Sequence, residues 1–175
     1  THKAGALDDL FGSDSLAEGQ LPLMEVLRAL KPILQDPSIL KIGQNMKYDA
    51  KILARNGIHV DPIDDTMLLS YALHSGLHGH GMDTLSERYL NHKPIPIKPL
   101  LGAGKSAITF DRVSIDEATP YAAEDADITL RLWLLLKPRL HQARVTRVYE
   151  GLERPLVPVL AKMEMTGIKV DRDTL

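Results

Sequence analysis

Residues 119–133 read TPYAAEDADITLRLW and place carboxylates and a tyrosine at the start of an apolar helical pattern. If the segment is helical, side chains three and four positions apart share one face. One such face is mainly apolar, and it comprises Tyr121, Asp125, Ile128, Leu132 and Leu135. An ionised carboxylate on an apolar face needs a cation, a metal ion or several hydrogen-bond donors. Asp125 is therefore a candidate functional residue.

The other polar residues of this helix are expected to face solvent. Glu124, Asp127 and Arg131 lie on the opposite side, and Asp127 and Arg131 have the spacing of a surface ion pair. Pro120 suits the first helical turn, because it fixes φ and its missing N–H is not needed there. The pattern predicts a helix that begins near Pro120 and extends to about His141.

A second inward-facing acid follows the short apolar run 39–43, which is predicted to be a buried strand. Residues 44–57, QNMKYDAKILARNG, are predicted to form the next helix, with Asn45 and Asp49 on one face and Gly57 at its end. Taken alone, Asn45 fits a helix cap and Asp49 a buried acid paired with a lysine. Two helices that carry such acids, in a chain without cysteine, favour an oxygen-rich site for Mg²⁺ or Mn²⁺.

Composition limits the classes of function. The chain has 175 residues, a formal net charge of −2 and no cysteine, which excludes disulfides and zinc–thiolate sites. The charge balance is not that of a general DNA-binding protein, so any contact with nucleic acid is expected to be local. No segment has the length and apolarity of a membrane span or the pattern of a secretion signal, so a cytoplasmic location is expected.

The motifs resemble, in order, those of the 3′ to 5′ proofreading exonuclease domain of bacterial DNA polymerase I, a family A polymerase. GQNMKYD (43–49) resembles the second motif of that domain, and YAAED (121–125) resembles its YxxxD third motif. Residues 153–171, ERPLVPVLAKMEMTGIKVD, resemble the start of the polymerase part. Each motif is short and weak alone, but their shared order is specific. The resemblance covers about residues 22–172.

The resemblance implies an RNase H-like (DnaQ-like) α/β exonuclease fold that binds two divalent ions, Mg²⁺ or Mn²⁺, through four acids. Such ions lie about 3.5–4 Å apart and promote in-line attack of water on a phosphodiester. By the same resemblance, Asp125 binds the metal on the nucleophile side, Asp49 supports the second metal, and Tyr121 orients the attacking water. The residues implied to contact the 3′-terminal nucleotides are Gln44, Asn45, Tyr48 and His80.

The chain departs from the family pattern at the first motif. That motif is Asp-x-Glu on an early strand, and no Asp-x-Glu occurs in these 175 residues. The fold is therefore expected to be helix-rich, because its first strands are missing. Two acids of four supply too few ligands for a pair of ions. The isolated chain is expected to be a poor or inactive nuclease that does not retain the ions, and proofreading by the parent protein depends on whether an Asp-x-Glu motif lies upstream.

Two other interpretations share these motifs. An RNase D-like nuclease has the same N-x-x-x-D and Y-x-x-x-D motifs. Residues 153–171 argue against this interpretation, because they resemble the start of a polymerase domain. A family A domain that has lost catalysis and only supports the polymerase or holds a single strand is the other alternative. The presence of Asp49, Tyr121 and Asp125 disfavours it.

The resemblance also predicts the domain organisation and the partners. Residues 1–145 are expected to form a partial 3′-5′ exonuclease domain, and residues 146–175 the start of the polymerase domain. The expected partners are the single-stranded 3′ end of DNA and the polymerase domain of the same chain, with no membrane. Such a protein is expected to associate with the nucleoid.

Overall fold

The computed structural model describes residue 16, residues 18–104, residues 107–171 and residue 174. The predicted N-terminal loop, residues 1–20, therefore lies mostly outside the described residues. Within the described ranges, none of the helices combines the length and apolarity that crossing a membrane requires.

The first half of the described chain alternates helices with two short strands. Their bounds are α1 Leu23–Gln35, β1 Lys41–Gly43, α2 Met46–Arg55 and β2 Ile63–Asp65. The strands are parallel, with Lys41 opposite Ile63 and Gly43 opposite Asp65. The prediction of a strand that leads directly into a helix is confirmed, although β1 begins later than residue 39.

The second half is helical. Its elements are α3 Thr66–His74, α4 Met82–Leu90, α5 Ile97–Leu101, α6 Ile115–Leu136, α7 Arg139–Gln142, α8 Thr146–Val148, a π-helical turn Tyr149–Glu153 and α9 Arg154–Thr166. In the part of the chain that the structure describes, the sheet has only β1 and β2. The prediction of a helix-rich α/β chain is confirmed.

The helix of the opening motif begins earlier than predicted. Ser114 caps α6, because its hydroxyl accepts a hydrogen bond from the Glu117 N–H at 3.3 Å and donates one to Glu117 Oε2 at 2.7 Å. Pro120 therefore lies inside the helix, where its ring removes one backbone hydrogen bond. The helix also ends before His141, which belongs to α7.

Two residues of the helical face predicted to be buried, Ile128 and Leu132, lie in the centre of the main core, whereas Leu135 is only half-buried and Leu136 takes its place there. Ile128, Leu132 and Leu136 of α6 are fully buried and pack with residues of α3, α4, α7 and the π-helical turn, namely Leu69, Leu85, Leu140 and Tyr149. A second apolar cluster joins α2, β2 and α9, and it contains Met46, Ile58, Val60, Ile63 and Val157. The two clusters hold both acid-bearing helices, α2 and α6, on the same small sheet.

A buried charge lies between the two clusters. Asp64 of β2 has no exposed surface, and it accepts hydrogen bonds from Trp133 Nε1 at 2.7 Å and Tyr149 Oη at 2.9 Å. Lys137 Nζ lies 2.9 Å from Asp64 Oδ2, and Arg154 NH1 lies 3.4 Å from Oδ1. Burial alone would raise the pKa of Asp64, but these hydrogen bonds and the Lys137 charge outweigh it and lower the pKa. The carboxylate thereby joins β2, α6 and the segment that begins α9.

Candidate active site

Helices α2 and α6 present their acids to one pocket. The pocket measures about 500 Å³, and Asp49 of α2 and Asp125 of α6 both line it. Gln44, Asn45 and Tyr48, three of the residues implied to bind nucleotides, line it as well. Helical spacing within each segment, together with the packing of both helices on the strands, thus brings most of the predicted site residues together.

The acid on α2 is positioned by an unusual helix start. Asn45 is in the left-handed conformation, with φ 59° and ψ 46°, which asparagine tolerates better than most residues. Its side chain does not cap the helix. The carboxylate of Asp65 caps it from β2 instead, accepting the N–H groups of Asn45 at 3.0 Å and Met46 at 2.8 Å. The Asn45 amide is therefore left exposed beside the pocket.

Two of the predicted nucleotide-binding residues make internal hydrogen bonds. The Gln44 amide donates to the His80 carbonyl at 2.8 Å and accepts from the Thr66 hydroxyl. The His80 ring forms a 2.8 Å hydrogen bond with Ser70, and His80 is not among the residues lining the pocket. Gln44 therefore ties the loop before α4 to the end of β1, whereas Tyr48 is 59% exposed and open to a ligand.

The acid on α6 is paired with the predicted tyrosine. Tyr121 lies one helical turn before Asp125 on the same face of α6, and its ring packs 5.6 Å from the ring of Phe110. Burial and the negative charges of Glu124 and Asp83 raise the pKa of Asp125. Burial and the charge of Asp125 also raise the pKa of Tyr121, so this phenol stays neutral at physiological pH. The role of Tyr121 in orienting a water molecule, which the family resemblance implies, stays a prediction.

Glu124 has a partner that the sequence did not reveal. It was expected to face solvent, but its carboxylate contacts His92 Nε2 at 2.7 Å and accepts the Ile95 N–H at 2.6 Å. Burial alone would raise its pKa, whereas these hydrogen bonds and the His92 charge lower it. Glu124 thus fixes the irregular segment before α5. The other expected surface pair is confirmed, since Arg131 lies 3.2 Å from Asp127.

Asp49 was predicted to face inward, but it is exposed, and the part of it that is buried raises its pKa. Asp49 and Asp125 have the oxygen chemistry that Mg²⁺ and Mn²⁺ prefer. Among the described residues, however, no three His, Cys, Asp or Glu side chains come together to hold a metal ion. The described residues therefore fit part of a two-metal site but not a complete one.

Other residues of the site were missed at the level of sequence. Asp65 caps α3 by accepting the Met67 N–H at 2.9 Å, and it also caps α2. Asp83 lies in the first turn of α4, where its charge acts on Asp125. Met82 and Thr129 line the pocket and contact each other at 3.6 Å. The run DDT at 64–66 was the one signal that could have indicated a second role for Asp65.

Comparison with known families and proteins places this geometry in context. The profile of a family described as 3′-5′ exonuclease matches residues 9–141. The chain is 58% identical to part of DNA polymerase I of Rhizobium leguminosarum, over 99% of this chain and 17% of that protein. It is 46% identical to part of DNA polymerase I of Pseudomonas aeruginosa, over 89% of this chain and 18% of that protein. The chain thus spans less than a fifth of the length of these relatives.

Solved structures give the fold. NrnC of Brucella melitensis with bound Mg²⁺ has a TM-score of 0.63 at 23% identity, covering 82% of this chain and 67% of that one. The same protein bound to pGG has a TM-score of 0.65 at 23% identity and the same coverage. At this level of identity, the likeness supports the fold alone, and the predicted RNase H-like (DnaQ-like) architecture is confirmed.

Proposed function

The chain belongs to the 3′-5′ exonuclease family of the family A DNA polymerases, and from this we propose that it forms part of a domain that removes 3′-terminal nucleotides from DNA. The observation that carries the proposal is the convergence of Asp49 and Asp125 on one pocket, with Tyr121 one helical turn before Asp125. These are the residues that the family resemblance implies for catalysis. In the whole protein, the activity would proofread the product of a polymerase domain.

Each candidate catalytic residue has a distinct task in this proposal. Divalent cations, when bound, supply the charge that makes a phosphodiester open to attack by water. Asp125 and Asp49 would provide two of the carboxylates that hold them. Tyr121 stays neutral because its pKa is raised, so its hydroxyl can form a hydrogen bond with the attacking water. This geometry orients the water without taking its proton.

The proposed substrate is the single-stranded 3′ end of DNA. Tyr48 is exposed at the pocket and offers an aromatic face, and stacking of a base on such a face contributes about 1–3 kcal/mol. The exposed Asn45 amide lies at the start of α2, where its side-chain N–H groups can donate to a phosphate oxygen. Gln44 supports this surface indirectly, because its own amide is bonded to Thr66 and His80. We propose that the protein acts on this substrate in the cytoplasm, in association with the nucleoid.

The full-length gene product that contains this chain tests the proposal. A 5′-labelled single-stranded DNA oligonucleotide should be shortened from its 3′ end in the presence of Mg²⁺ and remain intact with a chelator. Asp125→Ala should abolish shortening, whereas Asp127→Asn, a change at the solvent face of the same helix, should leave it unchanged. A wild-type protein that does not shorten the strand, or an Asp125→Ala variant that still does, would show that the proposal is wrong.

A domain that only holds a single strand is the second candidate. It is favoured by one observation, the absence of a third ligating side chain near Asp49 and Asp125 among the described residues. The two candidates differ in the residues encoded upstream of Thr1. An Asp-x-Glu in an apolar strand there supports the exonuclease, and its replacement supports the strand-holding domain. A free-standing RNase D-like nuclease is less favoured, because the relatives at 58% and 46% identity are polymerases.

A further inference from the structure

We infer that Tyr149 and Asp65 are positioning residues that hold the first turn of α2 in its working geometry. The inference rests on the proposed function, since that turn carries Asn45, Tyr48 and Asp49. Neither residue lines the pocket. Both act through backbone groups, so their effect on the reaction is indirect.

Asp65 forms the contact with α2. It is only 2% exposed, and its two carboxylate oxygens accept the N–H groups of Asn45, Met46 and Met67. Two of these N–H groups lie at the start of α2, and the third lies at the start of α3. The N–H groups in the first turn of a helix have no carbonyl partner within that helix. Here one carboxylate of the neighbouring strand β2 accepts hydrogen bonds from such groups of both α2 and α3. The position of Asp65 therefore sets the position of the turn that leads to Asp49.

Tyr149 in turn fixes Asp65. It is fully buried, and its hydroxyl accepts the Asp65 N–H at 3.0 Å while donating to Asp64 Oδ1 at 2.9 Å. A hydroxyl has one proton and two acceptor positions, so this arrangement uses it as donor and acceptor at once. The hydroxyl therefore restrains the last two residues of β2, one through its backbone and one through its side chain.

The link connects the candidate site with the far end of the chain. Tyr149 begins the π-helical turn that leads into α9, and α9 also contacts α2 directly, because Glu164 pairs with Lys47 and Lys51. These lysines are partly exposed, so their ion pairs contribute little alone. The segment that follows residue 148 thus restrains α2 at two places. One restraint is the buried Tyr149 hydroxyl, which acts through Asp65, and the other is the pairing of Glu164 with the two lysines of α2.

The neighbouring residue Trp133 provides a matched comparison. Its indole N–H donates to Asp64 Oδ2 at 2.7 Å, so it bonds to the same buried carboxylate as Tyr149. It makes no hydrogen bond to Asp65 in the described structure. Trp133→Phe and Tyr149→Phe each remove one hydrogen bond to Asp64, but only Tyr149→Phe also releases the Asp65 backbone. A difference between the two variants therefore reports on the positioning of α2 rather than on stability.

The test compares Tyr149→Phe, Asp65→Asn and Trp133→Phe in the full-length gene product. The measurements are kcat and KM for 3′-end removal from a single-stranded oligonucleotide, the Mg²⁺ concentration that gives half-maximal rate, and the thermal midpoint. Loss of a supporting contact to a metal-binding element commonly costs 10–100-fold, so we expect Tyr149→Phe and Asp65→Asn to lower kcat or raise the Mg²⁺ requirement about tenfold. Trp133→Phe should lower the thermal midpoint and leave kcat and the Mg²⁺ requirement within about twofold of wild type.

Amide hydrogen exchange of residues 45–49 gives a second measurement that does not depend on activity. Faster exchange in Tyr149→Phe and Asp65→Asn than in Trp133→Phe supports the inference, and equal exchange in all three overturns it. An active wild-type protein in which Tyr149→Phe matches Trp133→Phe in kcat and Mg²⁺ requirement overturns the inference alone. A wild-type protein that leaves the strand intact overturns the proposed function and this inference with it.

Discussion

Asp49 and Asp125 face the same pocket from different helices, and neither forms an ion pair within the part of the chain that the structure describes. The pKa of each is raised, chiefly by partial burial. An acid whose pKa is higher in the folded state than in the unfolded chain disfavours folding once it is ionised. The half-buried Asp125 is thus retained at a cost to stability, which is the pattern of a functional site.

The first prediction concerns the stability of the metal-free chain. Asp125→Asn removes an unfavourable charge and keeps the shape of the side chain, so the variant should unfold at a higher temperature than wild type at pH 7 without metal. The sign follows from the raised pKa, because the wild-type penalty develops as pH rises from the ordinary aspartate range through the folded pKa. Thermal unfolding followed by circular dichroism at pH 4 and pH 7 measures it.

Asp127→Asn is the control for this stability change, because Asp127 lies on the exposed side of α6 and pairs only with Arg131 among the described residues. Its loss should change the free energy of unfolding by less than about 0.5 kcal/mol. If Asp125→Asn is less stable than wild type at pH 7 without metal, the prediction is wrong. The ionised Asp125 carboxylate is then stabilised by contacts that its raised pKa does not reflect.

The second prediction concerns Tyr121 and the pH dependence of the reaction. Tyr121→Phe should lower kcat of the full-length protein about tenfold or more, because the water loses an orienting group, while the Mg²⁺ requirement stays unchanged. Since the pKa of Tyr121 is raised, the phenol does not ionise near neutral pH. The rate should therefore show no loss from tyrosine ionisation up to about pH 9. Steady-state rates at several pH values measure both effects.

On the acid side, the rate should fall at a higher pH than for an ordinary aspartate. Metal binding requires deprotonated Asp125, and its pKa is raised by burial and by the charges of Glu124 and Asp83. Glu124→Gln removes one of these charges and should move the acid limb to lower pH. An acid limb that does not move in Glu124→Gln would mean that another group controls it.

The third prediction concerns the buried carboxylate of Asp64. Asp64→Asn should destabilise the chain by about 2 kcal/mol, because the carboxylate that accepts hydrogen bonds from Trp133, Tyr149 and Lys137 becomes a neutral amide. Lys137 and Arg154 keep Glu150 as a partner, so they are not left as unpaired charges. The lowered pKa of Asp64 means that its contribution is present above the unfolded pKa and is lost as pH falls through the lower folded value. Urea unfolding between pH 2 and pH 7 should therefore show a weaker acid dependence in Asp64→Asn than in wild type.

The behaviour of Asp64 and Asp65 shows where sequence reasoning ends. Helical periodicity correctly placed Tyr121 and Asp125 on the buried side of α6, because that pattern depends only on neighbours within two turns. The partners of Asp64 and Asp65 come from α2, α6 and the π-helical turn, so no local pattern reveals them. The early start of α6 was missed for a different reason, since the capping pair of Ser114 and Glu117 is a local signal that the proline obscured.

The last prediction is that the 175-residue chain alone neither degrades single-stranded DNA nor binds Mg²⁺ or Mn²⁺ tightly. Asp49 and Asp125 are two of the four acids that the family uses, the sequence contains no Asp-x-Glu, and the described residues offer no third ligand beside them. Each carboxylate removed from a site of hard cations lowers both its charge and its coordination number, so affinity falls steeply.

Isothermal titration with Mn²⁺ should show no saturable binding below about millimolar concentration, the range of weak carboxylate sites. The full-length gene product is the positive control, and its Asp125→Ala variant is the negative one. Tight binding or strand degradation by the isolated chain would mean that other residues complete the site.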